Sequence, residues 1–233
     1  MEAPLIKRAQ SHAEILSKYV SFSGKVVVDI GCGTGDFVRW MTAQGAEATG
    51  IDLAAMIAKA EKSPRSGDER YRAGTAQMLP VESDHADLAV YLASFHHIPE
   101  DEMPYGLEEC RRILKPEGTA IFVEPVGEKG SYYELVRLIG DERDIQAKAY
   151  EAIKAAGPSG FQMTAEETYY LERSFEDYLH LLDVNVDDEA KRSEIAAAAR
   201  AVTERLCRDA GTSFESYRFR SICRMNIMQK TVQ

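Results

Sequence analysis

The stretch VVVDIGCGTGDF, Val26 to Phe37, decides how the rest of the chain is read. Three valines of buried-strand character lead into Asp29 and Ile30, and glycine then recurs at Gly31, Gly33 and Gly35. A strand that closes in an alternating-glycine turn and opens a helix is a nucleotide-type site. Glycine permits the tight turn and lets backbone N–H groups approach a ligand closely. The dinucleotide fingerprint GxGxxG would place its third glycine at Asp36. A carboxylate there opposes a pyrophosphate at the helix N-terminus, so the turn suits a nucleoside ligand without phosphates.

Downstream, EATGID (Glu47 to Asp52) reads as a second strand and ends on an acid, 52 − 31 = 21 residues after the first glycine. An acid at that place accepts from both hydroxyls of a ribose. The ribose alone does not separate NAD from S-adenosylmethionine; the spacing of the glycine turn does.

Strand-like and helix-like patterns alternate through the first half of the chain. SHAEILSKYV (11 to 20) has the spacing of a short amphipathic helix. DFVRWMTAQG and LAAMIAKAEKS read as helices, ERYRAG as a short third strand, and Asp87 to Ala93 as a fourth. Leu107, Cys110 and Leu114 share a face, predicting a helix over 101–115 that stops before Pro116; GTAIFVEP is the fifth strand. Repeated βα units require a parallel sheet covered on both faces.

After Pro125 the pattern changes. From 128 to about 190 the sequence is expected to be helical without a strand. Phe175, Tyr178, Leu179 and Leu182 form one stripe, with His180 roughly opposite and solvated. Ile195, Ala198, Ala199, Val202 and Leu206 mark a long helix stopped at Gly211. FESYRFR and ICRMNIMQK are expected to close the chain as an antiparallel hairpin. The expected organisation is a single domain over 1–233, with residues 126–193 as a helical insertion that closes over the site as a lid.

Formal net charge is −10, which argues against nucleic acid, whose phosphates need clustered Lys and Arg. No apolar run approaches the roughly 20 residues that span a bilayer, and MEAPLIKRAQ lacks the apolar core of a signal peptide. The four scattered cysteines read as free thiols, so a cytoplasmic protein with a small-molecule partner and no membrane or nucleic-acid partner is expected. No His, Cys, Asp or Glu set has metal-ligand spacing, and no metal is expected. The sequence is silent on oligomeric state.

Taken together, DIGCGTG, GID, GTAQMLPVESDHADLAVYLASFHHI and RRILKPEGTAIFVEP resemble the class I S-adenosylmethionine-dependent methyltransferases, from about Gly24 to Pro125 and more weakly through LCRDAG and the last strands. The resemblance implies a Rossmann-like α/β fold: a seven-stranded, mostly parallel sheet with an antiparallel last strand, plus a helical insertion after the fifth strand. It implies S-adenosyl-L-methionine as cofactor and S-adenosyl-L-homocysteine as product. Asp29, Gly31, Gly33 and Gly35, with Cys32 between them, would hold the methionine part. Asp52 would take the ribose and Leu53 would pack on the adenine, with Thr75 and Ala76 at the adenine edge. Many members carry an acid where this chain has Thr75, whose hydroxyl accepts more weakly. Ser94 would line the floor under the methyl.

Methyl transfer from a sulfonium is an in-line displacement, in which the protein aligns the partners, excludes water and, for a hydroxyl or protonated amine, removes a proton. His97, His96 and Glu124 are the candidate catalytic residues, all at carboxyl ends of strands. Wall packing for the histidines, and loop anchoring or substrate contact for Glu124, are the competing readings. Tyr132, Tyr133, Tyr169 and Tyr170 offer an aromatic cage or plain packing. Three other functions stay open: a silent cofactor-binding or scaffolding protein of this fold, an enzyme that uses the cofactor for another group transfer, and a nicotinamide-dependent oxidoreductase.

Overall fold

The computed structural model describes residues 11–186 and 188–231, so the N-terminal MEAPLIKRAQ lies outside the described residues. In chain order the elements are α1 (His12–Leu16), β1 (Val26–Ile30), α2 (Asp36–Ala43), β2 (Glu47–Asp52), α3 (Ala54–Ala60), β3 (Arg70–Ala73), β4 (Ala86–Leu92), α4 (Met103–Ile113) and β5 (Leu114–Pro125). Then follow α5 (Tyr133–Ile139), α6 (Arg143–Lys154), β6 (Phe161–Arg173), α7 (Tyr178–Asn185), α8 (Glu189–Asp209) and β7 (Phe219–Lys230). Short 3-10 turns cover Phe95–His97, Glu100–Glu102 and Phe214–Ser216.

The sheet has seven strands in the order β3-β2-β1-β4-β5-β7-β6. Strands β3, β2, β1, β4 and β5 pair in parallel, with Asp29 beside Gly50 on one side and Val90 on the other. Strand β7 is antiparallel: Lys230 Nζ reaches Leu114 O at the start of β5, the Thr231 N–H donates to Gly160 O, and Thr164 Oγ1 donates to Ile227 O. The valine run of β1 and the Ala86–Tyr91 stretch of β4 are buried because helices cover a parallel sheet on both faces.

The chain divides into two compact units, and β6 and β7 contribute to both. One comprises, among the described residues, 13–124, 145–167 and 224–231 and carries the βα units. Its core includes Val28, Ile51, Tyr91, Phe95, Phe122 and Ile153. Tyr91 and Phe122 stack with centroids 5.0 Å apart, and Phe95 meets both edge-on. The other comprises 11–12, 125–144 and 168–223 among the described residues, around Leu135, Leu181, Leu182, Ile195, Leu206 and Phe219. Among the described residues no helix is long and apolar enough to cross a membrane.

Three sequence expectations change here. The stretch between the fifth strand and the last helix contains β6, and residues 161–167 supply an edge of the seven-stranded sheet. FQMTAEETYYLER alternates covered and exposed residues over 161–166, a strand signal that the sequence reading overlooked, and the alternation breaks before the buried pair Tyr169 and Tyr170. The closing hairpin accordingly does not form: Phe214–Ser216 is a 3-10 turn, and the antiparallel partner of β7 is β6. Finally, Asp177 accepts from the His180 N–H at 2.7 Å and caps α7, so Phe175 precedes the helix. That phase buries Leu181 and Leu182 and leaves Leu179 64% exposed, while the half-buried His180 ring stands edge-on to Phe175.

Candidate active site

The carboxyl ends of β1, β2 and β4 open onto a cavity of about 690 Å³, the place where open parallel sheets bind ligands. The glycine turn forms its floor. The N–H groups of Gly31 and Cys32 donate to Ile51 O at 2.8 and 3.1 Å and tie the turn to β2. Gly31 has φ +77°, and a Cβ there would stand 2.5 Å from Ser94 Cβ. Gly31→Ala should therefore cost about 2–4 kcal/mol, from a left-handed backbone plus overpacking, read as a lowered Tm in thermal unfolding. Gly33 (φ +55°) has nothing within 4 Å of its missing side chain, so the backbone lies bare to an incoming ligand.

Two acids face this turn. Asp52 Oδ2 accepts from the Gly33 N–H at 2.7 Å and Oδ1 from the Leu53 N–H at 2.7 Å. Each oxygen keeps acceptor capacity, because a carboxylate offers about four lone-pair sites. Asp29 is 1% exposed, and neither of its oxygens has a hydrogen-bond partner among the described residues. Burial, with repulsion from Asp52 second, holds its carboxyl up at about 7. The same burial, with both acids adding, raises the Cys32 thiol, which is therefore a neutral filler of the turn.

Leu53 is 61% exposed on the cavity rim. Thr75, Ala76 and Ser94 also line the cavity. The Ser94 hydroxyl donates to Ile30 O at 2.6 Å, so it locks the turn after β4 against the end of β1. Asp36 lines the cavity as well, but it is held by Thr34 and by Arg39 at 2.6 Å. The repulsion expected of Asp36 toward a pyrophosphate is thus offset by Arg39, and the carboxyl sits below its usual range, chiefly through the Thr34 hydroxyl.

The three candidate catalytic residues separate. His97 is exposed and lines the cavity. His96 and Glu124 are buried and absent from its wall. Glu124 Oε1 accepts from the N–H groups of Ser94 and Phe95 at 3.2 and 2.9 Å, while Oε2 meets the His96 N–H at 3.4 Å and hydrogen-bonds His96 Nδ1. This is the loop-anchor geometry: Glu124 caps the 3-10 turn that carries both histidines, whose rings lie 4.2 Å apart. Of the tyrosines, Tyr169 bonds His12 Nδ1 at 2.6 Å, Tyr170 lies under Arg220, Tyr132 bonds Asn185 and Tyr133 reaches Asp141, so each has a packing role.

Sequence reasoning missed Phe37, Met56, Gln77 and Ala93 in the lining. Phe37 and Met56 sit in the first turns of α2 and α3, so the helix starts after each glycine or acid signal were the available clue. Ala93 has φ 53°, a left-handed alanine at the end of β4 that nothing in its residue type announces.

The fold is a Rossmann-like α/β sheet with a cavity at the carboxyl ends of its central strands. Residues 28–122 match the family described as "Methyltransferase domain". Over these residues the chain resembles methyltransferases. It is 30% identical over 131 residues to the ubiquinone biosynthesis O-methyltransferase of Pseudomonas entomophila, covering 54% of this chain and 55% of that protein. It is also 30% identical over 150 residues to the malonyl-[acyl-carrier protein] O-methyltransferase of Pectobacterium atrosepticum, covering 63% and 57%. The chain thus spans little more than half the length of these relatives. Among solved structures, a SAM-dependent methyltransferase from Methanosarcina mazei is similar at TM-score 0.57 and 15% identity, covering 97% of this chain and 100% of that one. The [4+2]-cyclase SpnF is similar at TM-score 0.57 and 19% identity, covering 91% and 76%. These two likenesses establish the fold and not the reaction.

Proposed function

We propose that the protein is an O-methyltransferase that uses S-adenosyl-L-methionine on a small-molecule acceptor. The observation that carries this reading is the conjunction of a bare glycine turn and two acids with an exposed histidine, all lining one cavity. The residues fit the cofactor by their chemistry. Asp29 and Asp52 supply anionic acceptors for an ammonium and a ribose, the open Gly33 backbone admits close approach, and exposed Leu53 offers an apolar face for a base. When bound, the cofactor supplies a methyl group on a positively charged sulfur.

In this reading His97 accepts the proton of the acceptor hydroxyl, the task for which a histidine is suited near neutral pH. Glu124 and His96 hold the turn on which His97 sits. Ser94 and Gly31 fix that turn against the glycine loop, so the proton acceptor and the cofactor floor share one rigid frame. Residues 126–193 are proposed to serve the acceptor and keep water from it, as a lid. The buried thiols of Cys32, Cys110 and Cys207 support a reducing compartment such as the cytoplasm.

The oxygen acceptor is supported by two relatives, an O-methyltransferase of ubiquinone biosynthesis and an O-methyltransferase of malonyl-[acyl-carrier protein]. The test is transfer of radiolabelled methyl from S-adenosylmethionine to a panel of catechols and malonyl thioesters, with primary amines and thiols as controls. Label in hydroxyl or carboxyl acceptors supports the reading; label confined to amines or thiols, or in none of the panel, overturns it. His97→Ala should lower kcat by about 100-fold or more on a hydroxyl acceptor while leaving cofactor affinity within about twofold. Unchanged turnover would return His97 to the wall.

A further inference from the structure

Asp29 is a carboxylate at the heart of the cavity whose two oxygens are buried and bonded to nothing among the described residues. An ionised carboxylate so placed is costly unless a cation or several donors compensate it. No lysine or arginine belongs to the cavity lining among the described residues. The titratable and charged groups around Asp29 are Asp52 at the end of β2, Cys32 in the turn, the Asp36–Arg39 pair at the start of α2, Tyr91 on β4 and His97 beyond it. Asp52 is the one whose charge acts on Asp29, and it is of the same sign. Cys32 and Tyr91 are both held neutral by burial, and Arg39 is committed to Asp36.

We propose that Asp29 selects ligands by charge: it carries a proton in the unliganded chain and gives that proton to solvent when a ligand's cationic group settles beside it. This rests on the reading of the cavity as the cofactor site and adds a proton to the binding equilibrium. One O–H bond of the carboxyl breaks, the proton goes to buffer, and the freed anion pairs with the ligand's cation; no other bond changes. The carboxyl's position near 7 sets the window. Below that pH binding must expel the proton, so affinity for a cationic ligand rises about tenfold per pH unit from about pH 5 and levels off above about pH 7.

The experiment is calorimetric titration of the full chain at about pH 6 and about pH 8 in buffers of different ionisation enthalpy, which counts protons released on binding. The probes are S-adenosylmethionine (sulfonium and ammonium), S-adenosylhomocysteine (ammonium only) and 5′-methylthioadenosine, which carries neither cation. The first two should release close to one proton at the lower pH and almost none at the higher, and methylthioadenosine none at either. Asp29→Asn should abolish the release and flatten the pH dependence. Equal release by all three probes, no release with the cationic ligands bound, or undiminished release from Asp29→Asn overturns the proposal. Should Asp29→Asn fail to fold, the comparison of the three probes on the unaltered chain decides. Failure of all three to bind is a different result, which removes the cofactor reading itself and the proposal with it.

Discussion

Asp52→Ala is expected to weaken binding of S-adenosylmethionine by at least about 100-fold, the largest loss foreseen for any single substitution in the cavity. A charge-assisted hydrogen bond contributes about 1.5–3 kcal/mol, and a carboxylate that accepts from both ribose hydroxyls makes two of them. Together they exceed about 3 kcal/mol, which is a factor of about 100 or more in Kd. The geometry adds to this, because Asp52 is already held by the N–H groups of Gly33 and Leu53, so little ordering remains to be done on binding. Losing those two bonds should cost about 1 kcal/mol of stability and leave the far-ultraviolet circular dichroism unchanged. Asp52→Asn, which keeps one acceptor, should fall between. Calorimetry on the three proteins is the check, and equal affinities would dismiss the ribose assignment.

Asp29→Asn is expected to stabilise the unliganded protein at about pH 8 by about 2–4 kcal/mol. In the folded chain the carboxyl titrates at about 7, against 3.8 when exposed. A raised acid works against folding as pH rises. Below about pH 4 both states are protonated and the side chain is neutral in its effect. Between about 4 and 7 the unfolded chain releases the proton that the folded chain keeps, so stability falls; above about 7 the penalty is constant at about 4 kcal/mol, from about 1.4 kcal/mol per pH unit. Asparagine removes the charge but keeps a buried polar group without a partner, which trims the gain. The difference in Tm between the two proteins should therefore open between pH 5 and 7 and stay constant beyond. A Tm difference of the opposite sign at pH 8 would mean that Asp29 is compensated. The same substitution that stabilises the fold should weaken the cofactor, a trade of stability for function located at one side chain.

The first half of the fold could be read in the sequence because each βα unit carries its own local signal. The valines of β1, the turn Gly31–Gly35, the EATGID strand and the helix closed by Ile113 all depend on neighbours a few residues away. The second half resisted for a physical reason. Strand β6 is the sheet edge, and its alternation, strict over 161–166, breaks down over 167–170, so only part of its length carries a strand signal. Its partner β7 is 46 or more residues further on, a pairing that no local pattern encodes. In the site, the glycines and acids that line the cavity were visible because their spacing along the sequence is distinctive. For Glu124 the sequence offered loop anchoring beside catalysis and substrate contact and could not choose among them. Only the folded chain brings its carboxylate to the N–H groups of Ser94 and Phe95, 30 and 29 positions away. Ala93 gave no signal at all, since its left-handed backbone is imposed by the turn and by the bond from its N–H to Val123 O.

The central claim is that the cavity over β1, β2 and β4 is an S-adenosylmethionine site. It is tested most directly by titrating the purified protein in parallel with S-adenosylmethionine, S-adenosylhomocysteine and NAD. The account predicts micromolar binding of the first two and none of NAD. Binding of NAD alone would contradict it.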